Sequence, residues 1–119
     1  MHKDWPALAA GLTPAVGELR QGAPDVMNGF SAIARAALAG AALNAKTKEL
    51  IALGIAVAIR CEACVAFHAD SAVKRGATRE EVLETMGMAI YMGAGPSVMY
   101  AAQALEAFDQ FTAKSEAAS

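Results

Sequence analysis

The sequence predicts an all-α fold, a compact bundle of about six helices within a single domain spanning residues 1–119. Thirty of the residues are alanine, the strongest helix former, and its small side chain lets helices approach closely. No stretch alternates β-branched and polar residues as a half-buried strand would. Helix caps recur along the chain instead, so each helix can be placed by its start and stop signals.

Two helices are expected to begin at prolines. Thr13 followed by Pro14 is the pattern of an N-cap and a first helical residue, and predicts a short helix to about Gln21. Pro24 opens a second helix, with Gly40 as its stop signal. The apolar residues of this second helix fall on one face: Val26, Phe30, Ile33 and Ala37.

The third and fourth helices follow in the centre of the chain. Asn44 is a candidate cap for a helix running to about Arg60, and residues 50–59 within it are apolar on all sides. Such a run predicts a helix buried on every side. The fourth helix is expected to begin near Cys61 or Glu62 and to continue to Arg75, with Gly76 just past its end.

The last third of the chain predicts two more helices. Thr78 and Glu81 form a capping-box pattern that opens the fifth, whose inward-facing residues are expected to be Val82, Leu83, Met86 and Ile90. Gly95-Pro96 opens the sixth. Its buried face is expected to comprise Val98, Met99, Ala102, Leu105 and Phe108. The tail, residues 112–119, is expected to fray.

Composition limits the classes of function. The formal net charge is −2 and the cationic residues are scattered, which argues against a nucleic-acid partner. The longest apolar run, residues 50–59, is too short to span a bilayer, and the start of the chain lacks a secretory pattern, so we expect a cytoplasmic protein without a membrane role. A hydrophobic fraction of 55% in so small a chain predicts a homo-oligomer.

The chain's two cysteines, Cys61 and Cys64, form a Cys-x-x-Cys motif at the predicted start of the fourth helix. On a helix, His68 lies one turn beyond Cys64, where its imidazole can accept a thiol proton. The second thiol is close enough to form a disulfide. Glu49, near the entrance of the third helix, is a candidate partner that orients or reprotonates His68. These residues constitute a minimal dithiol redox centre.

Three other interpretations of the cysteine pair remain open: half of a zinc site, a disulfide staple, or two buried core residues. Zinc would need Cys61, Cys64, His68 and Glu49 as its four ligands, since His2 lies at the terminus. The position of the pair favours reactivity, because unpaired N–H groups at a helix start stabilise a thiolate.

A longer pattern strengthens the redox hypothesis. Glu49-x11-Cys61-x2-Cys64-x3-His68, followed by Ala72, Gly76-Ala77-Thr78 and Glu81, resembles the alkylhydroperoxidase AhpD-like core of the carboxymuconolactone decarboxylase superfamily. The motif-bearing core covers residues 46–92. The ordered combination is far more specific than Cys-x-x-Cys alone.

The resemblance implies an all-helical homohexamer, a trimer of dimers, that acts as an antioxidant peroxidase or thiol–disulfide oxidoreductase. By position, Cys64 corresponds to the nucleophile, Cys61 to the resolving thiol, His68 to the base and Glu49 to the distal member of the proton relay. The substrate class would be a hydroperoxide, and the reductant a lipoyl-bearing or other dithiol protein. No cofactor or metal is implied beyond the Cys61–Cys64 disulfide.

Two departures from the family pattern distinguish this chain. Longer peroxidase members carry a histidine just before the second cysteine, where this chain has Ala63, and they contain an additional helical half. The alternative functions are a non-redox helical protein with structural or metal-binding cysteines, and a lactone decarboxylase-like enzyme. The decarboxylase branch generally lacks the cysteine pair.

Overall fold

A computed structural model describes residues 1–119 as five α-helices without a β-strand, which confirms the all-α class. In chain order the helices are α1 Trp5–Gly22, α2 Pro24–Leu38, α3 Ala45–Ala58, α4 Glu62–Lys74 and α5 Arg79–Ala118. Helices α3, α4 and α5 pack against one another most extensively, whereas α2 contacts only α1 and α3. The last three helices therefore form the centre of the fold.

The expected fifth and sixth helices are the two arms of α5, so the count of about six becomes five. The arms meet at a kink at Ala94, whose backbone angles are φ 57° and ψ −147°. Pro96 follows the kink and has no N–H to donate to the preceding turn. A side chain at Gly93 would collide with Ser97, so the close approach there requires glycine.

The tail, for which the sequence predicts fraying, is helical to Ala118 and exposed from residue 113 onward.

Helix α1 begins at Trp5, nine residues before Pro14, the predicted first helical residue. Asp4 is its N-cap, and the Asp4 side chain accepts a hydrogen bond from the Ala7 N–H at 3.1 Å. Pro14 lies inside the helix, and the Thr13 hydroxyl donates to the carbonyl of Ala9 at 3.1 Å rather than capping. The prediction was wrong because an earlier cap competes, and because a proline removes only one bond from an otherwise continuous helix.

The apolar faces of α2 and α3 are more exposed than the sequence predicts. Val26, Phe30 and Ile33 are 72%, 63% and 66% exposed, and α2 has no buried residue. On α3 the prediction of burial on every side was wrong, because Ile51 and Ile55 face outward. The reason is topological: α2 lies at the edge of the bundle, and no element of the chain covers the outer side of α3.

The buried face of the second arm of α5 is rotated from the predicted one. Val98 and Met99 are exposed, and so is Leu83 in the first arm. Of the predicted inward residues, Val82, Met86 and Phe108 are buried. The residues that the second arm buries are Ser97, Ala101, Ala104, Ala107, Phe108 and Phe111. The predicted and the observed buried residues of this arm both recur with helical periodicity. The prediction chose the set with larger apolar side chains, whereas the structure buries the set that is rich in alanine.

Small side chains dominate the hydrophobic core. Nine of its seventeen buried residues are alanine, and the largest fully buried side chain is Trp5 at the start of α1. Alanine at helix contacts allows the axes to approach closely. Close packing of α3, α4 and α5 brings the N-terminal half of α3 against α4, and this arrangement positions the candidate site.

A capping box fixes the start of α5. The Thr78 hydroxyl accepts from the Glu81 N–H at 3.1 Å, and the Glu81 carboxylate accepts from the Thr78 N–H at 2.8 Å. The Lys46 ammonium also binds Glu81 at 2.8 Å, and mainly this contact holds the pKa of Glu81 below its usual range. Residues 78–81 therefore join the start of α5 to α3.

Replacing Thr78 should measure the contribution of this cap. We expect Thr78→Ala to lower the free energy of unfolding by about 1 kcal/mol, because one N–H at the helix start loses its acceptor. Urea denaturation followed by circular dichroism measures the change. Thr78→Ser keeps the hydroxyl and should remain near the wild type; an equal loss in both variants would show that the methyl group, not the cap, is responsible.

Candidate active site

The two cysteines lie at the N-terminus of α4 and are joined in a disulfide. Cys61 is the N-cap residue, Cys64 lies in the first turn, and their Cα atoms are 5.2 Å apart, within the range of protein disulfides. The Cys64 N–H donates to the Sγ atom of Cys61 at 3.3 Å. Both residues are half-buried.

The turn between α3 and α4 sets this position. Arg60 has a positive φ of 61°, which is uncommon for a residue with a side chain, and it redirects the backbone. The Cys61 N–H then donates to the carbonyl of Ala56 at 3.0 Å. The turn therefore places the Sγ atom of Cys61 at the N-terminus of α4, where it accepts the Cys64 N–H, and the positive dipole end of a helix is an environment that favours a thiolate.

Helix α3 contributes a carboxylate to the next turn of α4. The Oε2 atom of Glu49 lies 2.8 Å from Nδ1 of His68, and Glu49 is only 5% exposed. An ionised carboxylate can only accept, so this bond requires the proton of a neutral imidazole on Nδ1. The other ring nitrogen, Nε2, then carries the basic lone pair. The contact thus selects the tautomer and orientation of His68.

The structure brings the four predicted residues together as two pairs: Cys61 with Cys64 through a disulfide, and Glu49 with His68 through a hydrogen bond. Cys61 and Cys64 are covalently linked, and His68 lies four residues after Cys64 on the same helix. Glu49 reaches His68 from α3 across a separation of 19 residues. Chemically, the arrangement combines a reducible disulfide with a nearby imidazole–carboxylate pair.

Sequence reasoning missed a lysine at this site. The Lys3 ammonium forms an ion pair with Glu62, the residue between the two cysteines and next to Cys61. Lys3 lies before the first helix and is 59 residues from its partner. No local pattern marks such a contact, because the start of the chain must first be placed against the bundle.

The segment His2–Trp5, here called the N-terminal strap, is bound to α5. The Glu106 carboxylate accepts from the His2 N–H at 2.6 Å, from the Lys3 N–H at 3.0 Å and from the Trp5 indole at 2.8 Å. Gln110 adds a bond from the Trp5 N–H at 2.8 Å and donates to the Lys3 carbonyl at 2.7 Å. These bonds, led by that from His2, lower the pKa of Glu106 to about 2.

The depressed pKa of Glu106 predicts that acid releases the strap. The ordinary value is 4.5, so the contribution of Glu106 to folding is complete above that pH and is lost as pH falls towards about 2. Trp5, the only tryptophan, is fully buried, and its emission should shift to the red over this interval. Glu106→Gln is the control; an identical acid shift in that variant would assign the transition to another group.

The whole chain contains neither a cluster of metal-binding side chains nor a membrane-spanning helix. Nowhere do three or more histidine, cysteine, aspartate or glutamate side chains come together in a group able to hold a metal ion. A membrane span needs a long and strongly apolar helix, and the structure contains no helix of that kind.

The fold and site define a class: a small all-helical protein with Cys-x-x-Cys at a helix N-terminus beside a histidine–glutamate pair. The chain belongs to the carboxymuconolactone decarboxylase family, whose model matches residues 24–107. This finding confirms the resemblance inferred from residues 46–92.

Similar proteins come from several bacteria. A carboxymuconolactone decarboxylase family protein from Legionella pneumophila, solved crystallographically in its apo form, is 51% identical, with a TM-score of 0.88 over 91% of this chain and 96% of the other. An uncharacterized protein of Cupriavidus necator is 42% identical over 82% of this chain and 86% of its own length. One from Haemophilus influenzae is 41% identical over 91% and 96%, respectively.

Proposed function

We propose that this protein is a dithiol-dependent hydroperoxide reductase of the AhpD-like type, using the Cys61–Cys64 pair. The observation that carries the proposal is the half-buried disulfide at the start of α4, one turn before a histidine bound to a buried glutamate. Family membership supports it, since the family includes AhpD-like members. A general thiol–disulfide oxidoreductase would use the same residues.

In the reduced protein, Cys64 is the proposed nucleophile. Nε2 of His68 takes the thiol proton, and the α4 N-terminus stabilises the resulting thiolate. In thioredoxin-like motifs the first cysteine usually attacks; the i, i+4 spacing of His68 from Cys64 favours the second here. Glu49 holds the imidazole by its Nδ1–H and stabilises the imidazolium that forms.

Peroxide reduction then takes two balanced steps. The Cys64 thiolate attacks the terminal oxygen of the hydroperoxide, the O–O bond breaks, and the departing alkoxide takes a proton from His68 to give an alcohol. The product on the protein is a Cys64 sulfenic acid. The Cys61 thiol attacks that sulfur and expels water, forming the disulfide. Overall, one hydroperoxide and two thiols become alcohol, water and disulfide.

A dithiol must return the disulfide to its reduced form. Its first thiolate attacks one sulfur of the Cys61–Cys64 bond, and its second thiol releases the mixed disulfide, so the reductant leaves as its own disulfide. A lipoyl-bearing protein is the proposed physiological donor, and the cytoplasm, where thiols are kept reduced, is the proposed compartment. No other cofactor is required by this cycle.

The number of proton-transferring side chains at the site affects the proposed rate of peroxide reduction. Ala63 stands where longer peroxidase members have a histidine, so His68 and Glu49 are the only proposed relay members. We therefore propose a slower peroxidase than those members, with the same order of bond changes. The disulfide and its reduction do not depend on position 63.

A homo-oligomer, a trimer of dimers by resemblance, is the proposed assembly. Support comes from the exposed apolar face of α2 and from a groove of about 460 Å³ between α3 and α5. Exposed apolar surface of this kind is typical of protein interfaces. Light scattering after size-exclusion chromatography measures the mass; a monomer at micromolar concentration would contradict the assembly.

A turnover assay tests the activity. The wild type is supplied with dihydrolipoamide and cumene hydroperoxide, and cumyl alcohol is quantified over many equivalents of protein. We expect catalytic formation of the alcohol, with one dihydrolipoamide oxidised for each hydroperoxide consumed. A rate no higher than that of dihydrolipoamide alone would overturn the peroxidase proposal. Retained reduction of a small disulfide would then leave the oxidoreductase function.

A further inference from the structure

The residue between the two cysteines carries a negative charge at the place where a thiolate must form. Glu62 follows Cys61 directly and lies in the first turn of α4. A carboxylate near a thiolate disfavours it and thus favours the disulfide over the reduced form. The ion pair with Lys3 weakens this effect of Glu62 on the thiolate, because the Lys3 ammonium lies beside the carboxylate and offsets its negative charge.

Lys3 is held in place independently of its ion pair. Its N–H and carbonyl are bound to Glu106 and Gln110 of α5, at 3.0 and 2.7 Å. Its ammonium lies 5.5 Å from the ring centroid of the buried Trp5, within the range of a cation–π contact. These contacts fix the Lys3 backbone and place its ammonium beside Trp5, which reduces the entropy lost in forming the pair.

We propose that Lys3 is a positioning residue of the redox site, which neutralises Glu62 and thereby favours reduction of the Cys61–Cys64 disulfide. This inference rests on the proposed dithiol function. The Lys3 side chain is 33% exposed and that of Glu62 is 43% exposed, so screening by water limits the effect to a modest one. The start of the chain thus tunes chemistry 59 residues away.

The proposed effect of Lys3 is on the reduction of the Cys61–Cys64 disulfide by a dithiol. A dithiol such as dithiothreitol transfers two electrons to the Cys61–Cys64 bond and becomes its own cyclic disulfide. Its two protons go to the Cys61 thiol and to solvent, leaving Cys64 as the thiolate. The charges of Lys3 and Glu62 act on this thiolate, so they should change the equilibrium constant of the exchange.

Opposite shifts in two single variants test the proposal. The full chain is equilibrated in dithiothreitol buffers of graded potential, trapped by alkylation and weighed by mass spectrometry. We expect Lys3→Met to lower the equilibrium constant for reduction about two- to fivefold, and Glu62→Gln to raise it by a similar factor. Lys3→Arg should match the wild type, and the Lys3→Met/Glu62→Gln double variant should return close to it.

A purely structural role for the ion pair gives a different pattern. If the contact only tied the strap to α4, both single variants would shift the equilibrium in the same direction or leave it unchanged, and either result would overturn the proposal. Trp5 emission reports whether the strap remains seated. If Lys3→Met displaces it, Glu62→Gln still decides, because that variant must favour the reduced form.

The potential measurement separates this inference from the proposed function. It uses no peroxide, so a wild type that is reducible but inert towards cumene hydroperoxide would remove the peroxidase proposal and leave the role of Lys3 intact. If the wild type shows full peroxidase turnover and Lys3→Met leaves the equilibrium constant for disulfide reduction unchanged, the peroxidase proposal stands and the role of Lys3 is removed. Raising the salt concentration should shrink the shift, as expected for a partly exposed charge.

Discussion

Cys64→Ser should abolish peroxide consumption, reducing the rate to that of the buffer and reductant alone. A serine hydroxyl is not appreciably ionised near neutral pH and does not displace oxygen from a hydroperoxide, so no sulfenic acid can form at position 64. Cumyl alcohol production from cumene hydroperoxide measures the loss. The substitution is nearly isosteric at a half-buried position, so the helical content should remain that of the wild type.

Cys61→Ser is the matched control for that variant. It retains the proposed nucleophile and lacks the resolving thiol, so one equivalent of hydroperoxide should be reduced in a burst that leaves a sulfenic acid on Cys64. Mass spectrometry with a sulfenic-acid trap detects this state. Were the burst to occur in Cys64→Ser and not in Cys61→Ser, the order of the two cysteines would be reversed.

His68→Ala should produce the second large effect, a fall of about 10²-fold in the rate of peroxide reduction. The variant removes the proposed proton acceptor and leaves the buried Glu49 carboxylate without its hydrogen bond. Loss of that charged hydrogen bond should also lower the free energy of unfolding by about 1.5–3 kcal/mol. Pre-steady-state kinetics and urea denaturation measure the two consequences separately.

Glu49→Gln distinguishes chemistry from packing at the same contact. Glutamine has nearly the same volume and can still accept from Nδ1 of His68, but it cannot stabilise an imidazolium by charge. We expect about a tenfold lower rate with little loss of stability. An unchanged rate in both His68→Ala and Glu49→Gln would show that the imidazole is not the base.

The sequence predicts the centre of the fold better than its edges. Asn44, Thr78 and Gly76 are strong local signals, and α3, α4 and the start of α5 lie close to where these residues place them. By contrast, α1 begins at a competing cap, and the apolar face of α2 is exposed. The periodicity of apolar residues shows which face of a helix is apolar but not what covers that face. A face that packs on the chain's own core and a face that packs on another copy of the chain have the same apolar pattern.

Contacts within the site were predictable according to their separation along the chain. The i, i+3 and i, i+4 spacings of Cys61, Cys64 and His68 follow from helix geometry alone. Glu49 could be named as a partner, but its contact depends on how α3 packs on α4. The ion pair of Lys3 with Glu62 depends on the bonds that hold the strap to α5, and nothing in the local sequence encodes it.

A free-thiol count on the reduced protein tests the central claim most directly. The wild type is freed of reductant, given one equivalent of cumene hydroperoxide, alkylated within seconds and weighed, and a second portion is then treated with dihydrolipoamide. We predict rapid loss of both thiols with a mass decrease of two hydrogens, and full recovery by the dithiol. Two thiols that survive the peroxide would contradict the account and indicate that the Cys61–Cys64 pair serves only as a scaffold.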